Sequence, residues 1–276
     1  MPTKVFFSLT DDICFKYIFG KEEILKDFLN SFFSYLNEDK KVIKIEITTN
    51  KEMIGRNRKN KIFYGDILAF LNTQEIVSLE MYNYFQEKEF NKSVSYLTRI
   101  YSGQLKSGES YIDAKKVISI NLMQGSFNRN HHLMDDYCFI NKRTLKKLEN
   151  NPFELFLIHI DLVNDNVYND DEKRFIKWLK LIKAKDMVEM SKIAKGDKNM
   201  EQAVKFMRSF VNDEEVLDIY DKINDVKYYA KEEGLAEGLV KGKRETAKKM
   251  LEKGLSIKDI SEITGLSLSE INSLKD

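Results

Sequence analysis

Cysteine is scarce in this 276-residue chain: there are two, Cys14 and Cys138. They lie far apart and neither belongs to a CxxC pair, which excludes a zinc knuckle or a disulfide framework as the basis of the fold. Proline is equally rare, also two, which argues against long rigid linkers and for a compact, mostly helical chain. Charge of one sign is lacking as well. Lys and Arg number 45 against 44 Asp and Glu, a net of +1, so the whole molecule is no polyanion trap and any nucleic-acid contact must come from a local patch. No apolar run approaches the ~20 residues of a transmembrane helix, and no membrane partner is expected. The opening stretch MPTKVFFSLTDD has one Lys, a very short apolar run and no small-residue cleavage pattern. No secretory signal is therefore expected, and a cytoplasmic location is.

What is present is 42% hydrophobic and 32% charged, enough for a sizeable core in one large domain or a domain with an appendage. The most informative stretch is Lys61–Tyr82, KIFYGDILAFLNTQEIVSLEMY. Two apolar runs flank a short polar turn, and each carries one carboxylate, Asp66 and Glu80. A hairpin symmetric about Thr73 sets Asp66 opposite Glu80, with Cβ atoms roughly 4.5–5.5 Å apart. Two ionised carboxylates that close repel, and one is driven toward protonation. A divalent cation between them removes that penalty. Alternation along the second strand puts Ser78, Glu80 and Tyr82 on one face and Val77, Leu79 and Met81 on the other.

Before the hairpin, residues 11–36 read as helix broken at Gly20, with Phe15, Ile18 and Phe19 and then Ile24, Leu25, Phe28, Leu29, Phe32 and Phe33 at helical spacing. Asp12 and Lys16 fall at i,i+4, the spacing of a surface ion pair. Val42–Thr48 alternates as a strand, and residues 50–60 are polar and basic, as in a loop. After the hairpin, residues 88–105 read as a helix. One stripe carries Lys92, Tyr96, Arg99 and Gly103, and a neighbouring one Val94, Leu97, Tyr101 and Leu105. The first stripe has two readings, a contact for a phosphate backbone or a solvated face. Lys116–Met123 is a near-continuous apolar strand expected at the centre of a sheet. His131, His132, Asp135 and Asp136 cluster in sequence without metal-ligand spacing. Pro152–Val163 reads as a strand whose lone His159 is expected to be packed or hydrogen-bonded.

From Asp170 onward helical patterns dominate: 170–183, 198–211 and 213–230. Residues 231–253 are charged, with Gly234, Gly238 and Gly242 at every fourth position, and read as a weak helical spacer. Ser256 and Ser267 are N-cap residues with an acid three positions on, Asp259 and Glu270. Around the intervening Gly265, Ile257, Ile260, Ile263, Leu266, Leu268 and Ile271 suggest a small helix–turn–helix core. Residues 241–276 carry eight Lys/Arg and six Asp/Glu, an excess of only 8 − 6 = +2, which is small for a DNA-reading element and equally compatible with packing on a partner subunit.

Four stretches taken in order resemble one family. They are Asp12-Ile13-Cys14-Phe15-Lys16 with Ile18-Phe19-Gly20; Lys61 through Asp66-Ile67; Leu79-Glu80-Met81-Tyr82; and the helix to Tyr101, followed by Gly103–Gly108 and Tyr111 before the strand Val117–Leu122. The glycine-spaced helix and the tail KGLSIKDISEITGLSLSEI fit the same pattern. Together these resemble the recombination-promoting nuclease (Rpn, putative transposase) family of PD-(D/E)XK nucleases. The resemblance implies an α/β fold, a restriction-endonuclease-like core of mixed sheet flanked by helices, with a helical C-terminal extension. Its divisions are residues 1–165 for the core, 166–232 for the helical extension and 233–276 for the linker helix and helix–turn–helix-like tail.

The resemblance further implies Mg²⁺, with Mn²⁺ as substitute, held by Asp66, Glu80 and the Met81 backbone carbonyl, with Asp12 near the site, and DNA as the substrate. Two positions depart from the family pattern. Tyr82 stands where Lys or Gln is usual, and Lys92 stands for an arginine and lacks its bidentate fork. Asp66, Glu80, Tyr82 and Lys61 are thus the candidate catalytic residues, and Lys92, Tyr96 and Arg99 the candidate substrate contacts. Lys61 and Lys92 are the cations available to orient water or phosphate. The expected function is a metal-dependent DNA endonuclease, with a catalytically weakened DNA-binding or regulatory protein as the alternative, and a homo-oligomer through the C-terminal helices is a further expectation.

Overall fold

The computed structural model describes residues 8–48, 66–84, 87–125, 132–163 and 174–274. Lys61 and the basic stretch 50–60 lie outside these residues, as does His131.

The N-terminal apolar spacing produces two helices, α1 (Asp12–Phe19) and α2 (Glu22–Tyr35). Asp11 caps α1 by accepting the Ile13 amide at 3.0 Å. The break falls at Gly20, where a Cβ would sit 2.6 Å from the Lys16 carbonyl oxygen, so only glycine lets the chain turn this tightly. Asn30 on α2 then holds Val42, donating to its carbonyl at 2.9 Å and accepting its amide at 2.8 Å. These side-chain bonds replace ladder bonds, so β1 is Ile45–Thr48 rather than the expected 42–48.

The hairpin forms as β2 (Ile67–Leu71) and β3 (Ile76–Tyr82). Leu71 bonds Glu75 across the turn, and the three residues between them put Gln74 at φ 71, the left-handed third position typical of such loops. The register Ile67↔Leu79 and Leu68↔Ser78 is the one expected for symmetry about Thr73. Next come α3 (Glu87–Ser102), β4 (Val117–Met123), β5 (Met134–Tyr137) and β6 (Phe153–His159). The sheet order is β1-β2-β3-β4-β6-β5. β3, β4 and β6 are parallel, and the pairs β1–β2, β2–β3 and β5–β6 are antiparallel. β4 is buried along its whole length, as expected for a strand with parallel partners on both sides.

Alternation on β6 assigns the two faces. Phe156 meets Phe32 of α2 at 5.0 Å, whereas Phe153 meets Tyr101 of α3 at 4.8 Å. The first face is thick with aromatics, because α4 (Arg174–Lys183) adds Phe175 and Trp178 against Phe28 and Phe32. The Trp178 indole donates to Asp27 at 2.9 Å, and Arg174 pairs with the same carboxylate at 2.9 Å. α5 (Met187–Ala194), which periodicity did not suggest, and α6 (Lys198–Val211) complete this side.

The chain divides into two compact units, Met1–Asn212 and Asp213–Asp276. The second begins with α7, a continuous helix from Glu214 to Glu252. It merges the expected 213–230 helix and the glycine-spaced spacer. α8 (Ile257–Thr264) and α9 (Leu268–Asn272) follow, separated by Gly265 at φ 69. The Ser267–Glu270 capping box forms in full, and Ser256 caps α8. Their core is Ala247 from α7 with Ile260, Leu266 and Ile271. Ile263 and Leu268, expected in that core, are exposed, because the end of α7 supplies Met250 and Leu251 instead.

Candidate metal centre

The two strand carboxylates meet as their spacing requires. Leu71 donates to the Glu75 carbonyl, so alternating pairs up the hairpin make Asp66 and Glu80 a pair without mutual backbone bonds, the type whose side chains lie closest. Each instead bonds across with its side chain. The Asp66 amide donates to Glu80 Oε1 at 3.1 Å, and the Met81 amide donates to Asp66 Oδ2 at 2.7 Å. A strand residue directs its N–H and C=O to the same side, so the Met81 carbonyl faces the Asp66 side of β3.

Glu80 is 2% exposed. Burial, then the neighbouring Asp66 charge, pushes its carboxyl from 4.5 up to about 8, against the pull of Lys92 and of the bonds from the Asp66 amide and Ser78. Asp66 is also raised by burial, with Lys16 and the Met81 amide pulling it back. Lys16 belongs to the first family-like stretch and stands at ion-pair spacing from Asp12. It lies 2.8 Å from Asp12 and also 3.1 Å from Asp66 Oδ1. Burial works against its ammonium, but the two carboxylates more than offset this and raise its pKa.

The face of β3 and β4 that carries Glu80 is polar along its middle. Parallel register sets Ser78 beside Ser119 and Glu80 beside Asn121. Ser78 donates to Glu80 at 3.2 Å. Asn121, fully buried, donates to Ser119 at 3.1 Å and to the Phe156 carbonyl at 3.2 Å, and it accepts from Ser93 of α3 at 2.9 Å. The Tyr82 hydroxyl reaches the same Ser93 at 3.2 Å. Around this stripe the layer is apolar: Leu68, Ile76, Leu97, Val117, Met123, Leu155 and Leu157.

Tyr82 is itself in that layer, 7% exposed. Burial and then the Glu80 charge raise its hydroxyl far above the usual tyrosine range, so it stays protonated. The Lys92 ammonium lies over the Tyr82 ring at 5.2 Å and the Tyr96 ring at 5.0 Å. Tyr96 is buried and supports Lys92 from below. Arg99 is half-buried seven residues further along α3, roughly 10 Å up the axis. The structure thus gathers Asp66, Glu80, Met81, Tyr82, Lys92 and Tyr96, with Asp12 joined through Lys16, and sets Arg99 apart.

Sequence reasoning missed Ser93 and Asn121, and for Lys16 it missed the contact with Asp66. Asn121 carried a signal, a polar residue at the centre of the apolar run VISINLM. Elsewhere, His159 Nε2 donates to the Asp135 carboxylate at 3.1 Å, the hydrogen-bonded role expected for it.

Among the described residues no group of three or more His, Cys, Asp and Glu is arranged around a common point. A buried carboxylate, Glu80, and a half-buried one, Asp66, nonetheless fit a hard divalent cation that completes its shell with a carbonyl and waters.

A family model described as PD-(D/E)XK nuclease family transposase matches residues 9–235. The chain belongs to this family. A second, described as Rpn/YhgA-like nuclease family, C-terminal HTH domain, matches residues 241–276, which hold α8, α9 and the end of α7. No curated protein matches the chain. Membership accounts for the mixed sheet flanked by helices and for the helical tail, and it makes the chain nuclease- and transposase-related. No helix among the described residues is long and apolar enough to cross a membrane.

Proposed function

We propose that the chain is a divalent-metal-dependent DNA endonuclease, with Asp66 and Glu80 as the metal ligands. The observation that carries this reading is the facing pair itself, Glu80 buried and Asp66 half-buried beside it: the Glu80 carboxyl is raised to about 8 by burial and by Asp66, a strain that bound positive charge relieves. Mg²⁺, with Mn²⁺ as substitute, suits an all-oxygen set that adds the Met81 carbonyl, with Asp12 at its margin. The chemistry supplied by such an ion is a lowered pKa for a coordinated water and neutralisation of charge on the phosphate. Lys92, exposed and with its ammonium over Tyr82 and Tyr96, would contact a phosphate oxygen, with Arg99 further along the backbone of the substrate. Lys61 falls outside the described residues and keeps its place as a candidate only through the family pattern. The C-terminal helix–turn–helix unit would add DNA affinity or assemble copies of the chain.

The test is plasmid nicking by purified protein with Mg²⁺ or Mn²⁺, beside Asp66→Ala and Glu80→Ala. The wild type cuts and both variants do not. Equal cutting by all three, or none by the wild type at high protein concentration, sinks the reading.

A second reading, a nuclease fold that binds DNA without cutting it, is favoured by Tyr82. Its protonated, buried hydroxyl brings no positive charge to a position where the family commonly has Lys or Gln. It predicts salt-sensitive DNA affinity with no nicking in any metal. Light scattering on the full chain and on a chain ending near Lys231 tests assembly through the tail.

A further inference from the structure

Tyr82 leaves the Glu80 strand without a cation of its own, yet a cation is present. Lys16 reaches the carboxylate pair from α1, 3.1 Å from Asp66 and 2.8 Å from Asp12. A simple i,i+4 surface pair needs only Asp12, and it leaves the far side of the ammonium in water. Here the ammonium is half-buried at the edge of the pair, and its side chain remains 40% exposed. Two of its three N–H groups serve Asp12 and Asp66, and the third has no partner among the described residues. The position is fixed from both ends. α1 is anchored by the buried Cys14, Phe15, Ile18 and Phe19, and the Lys16 carbonyl accepts the Gly20 amide at the tight end of the helix.

We propose that Lys16 contacts the scissile phosphate of the bound DNA and holds the charge that grows on its non-bridging oxygens, with Asp12 as the residue that positions it. This rests on the nuclease reading of the Asp66–Glu80 pair. An ammonium beside the carboxylates that bind the metal stands where the phosphate must come. Asp12 supplies the geometry: from one turn earlier on α1 it restrains a flexible side chain that Asp66 alone would hold by one contact. Lys92 serves the other carboxylate: its ammonium rests on the Tyr82 and Tyr96 rings and acts on Glu80, whereas Lys16 is paired with Asp66.

The experiment compares Lys16→Met, Lys16→Arg and Asp12→Asn with the wild type in single-turnover cutting of a short duplex, with melting temperatures recorded for each. Binding of the same duplex is measured as a function of salt in a Glu80→Gln background, where cutting does not interfere. Loss of a preorganised donor to a developing oxyanion slows the chemical step roughly 10²- to 10³-fold, and this is expected for Lys16→Met. Lys16→Arg, which keeps the charge, recovers most of that loss. Asp12→Asn lies between them. The slope of log affinity against log salt falls by about 0.9 with Lys16→Met, one phosphate contact.

A structural role predicts otherwise: cutting that falls only in step with melting temperature, no rescue by arginine and an unchanged salt slope. That result overturns the assignment. If the wild type does not cut in either metal, the nuclease reading fails and the salt slope alone decides Lys16: a fall of about one phosphate contact keeps it at the phosphate, and an unchanged slope removes it.

Discussion

Asp66 and Glu80 are held face to face by backbone donors although their charges repel: the Asp66 amide donates to Glu80 at 3.1 Å, while the Met81 amide donates to Asp66 at 2.7 Å. Both carboxylates are therefore oriented before any ligand arrives. The arrangement stores an unfavourable charge in the folded protein, and its consequences can be measured.

The first concerns pH. The Glu80 carboxyl is raised from 4.5 to about 8. Between these values the folded, metal-free protein retains a proton that the unfolded chain has released, so stability is highest on the acid side of this window and falls as pH rises through it. Urea unfolding in a chelator at about pH 5 and about pH 9 should show this fall. Glu80→Gln, which removes the charge and keeps the shape, should flatten it and exceed the wild type at the higher pH by a few kcal/mol. A wild type more stable at about pH 9 than at about pH 5, relative to Glu80→Gln, contradicts the assignment.

The second concerns metal. Ligand that binds only the folded state stabilises it by mass action. Millimolar Mg²⁺ should raise the melting temperature of the wild type near neutral pH and leave Asp66→Asn and Glu80→Gln unmoved. An equal rise in all three points to binding elsewhere.

The third concerns Tyr82. Its hydroxyl bonds Ser93 and its ring lies under Lys92. Tyr82→Phe keeps the ring and loses one hydrogen bond, so it should cost about 1 kcal/mol and slow nicking less than tenfold. Tyr82→Leu removes the ring and should weaken DNA affinity as well, read by titration at fixed salt. Larger loss with Phe than with Leu would reverse the roles given to hydroxyl and ring.

The fourth concerns α7. A Cβ added at Gly234, Gly238 or Gly242 meets nothing within 4 Å. Alanine at each should stabilise the helix by up to about 1 kcal/mol, seen as slower amide exchange across α7 in the full chain. Gly265→Ala should do the opposite at α8 and α9, because φ there is 69. Faster exchange in α7 after the alanine substitutions would mean that the glycines serve a close contact.

Much of this was legible in the sequence because it depends on local period. The hairpin register follows from a loop centred on Thr73, the α1–α2 break from Gly20, and the capping box from Ser267 and Glu270. Asp66 and Glu80 could be paired because both sit on adjacent segments of one hairpin. Lys16 could not be placed: its contact with Asp66 crosses 50 residues, and no periodic pattern reports a helix lying against a strand end. Asn121 and Ser93 were hidden for the same reason, since their bond joins a strand to a helix that merely crosses it. Ile263 and Leu268 misled because apolar spacing on a short helix does not say which turn a neighbouring helix covers, and α7 covered the other one. β1 was overestimated because Asn30, a side chain on α2, took over the hydrogen bonds that a longer strand would have used.

The bond from Ser93 to Asn121 has one more implication. Asn121 is sealed in the sheet, and its amide is already committed to Ser119 and the Phe156 carbonyl, so its oxygen can meet a donor at only one height on α3. Sliding α3 by a single residue, about 1.5 Å along its axis or 100° around it, would strand a polar atom in an apolar layer and swing Lys92 off its two rings. An amide with no hydrogen bond to Asp66 or Glu80 thereby indexes the helix, and with it the aim of the cation one residue away from Ser93.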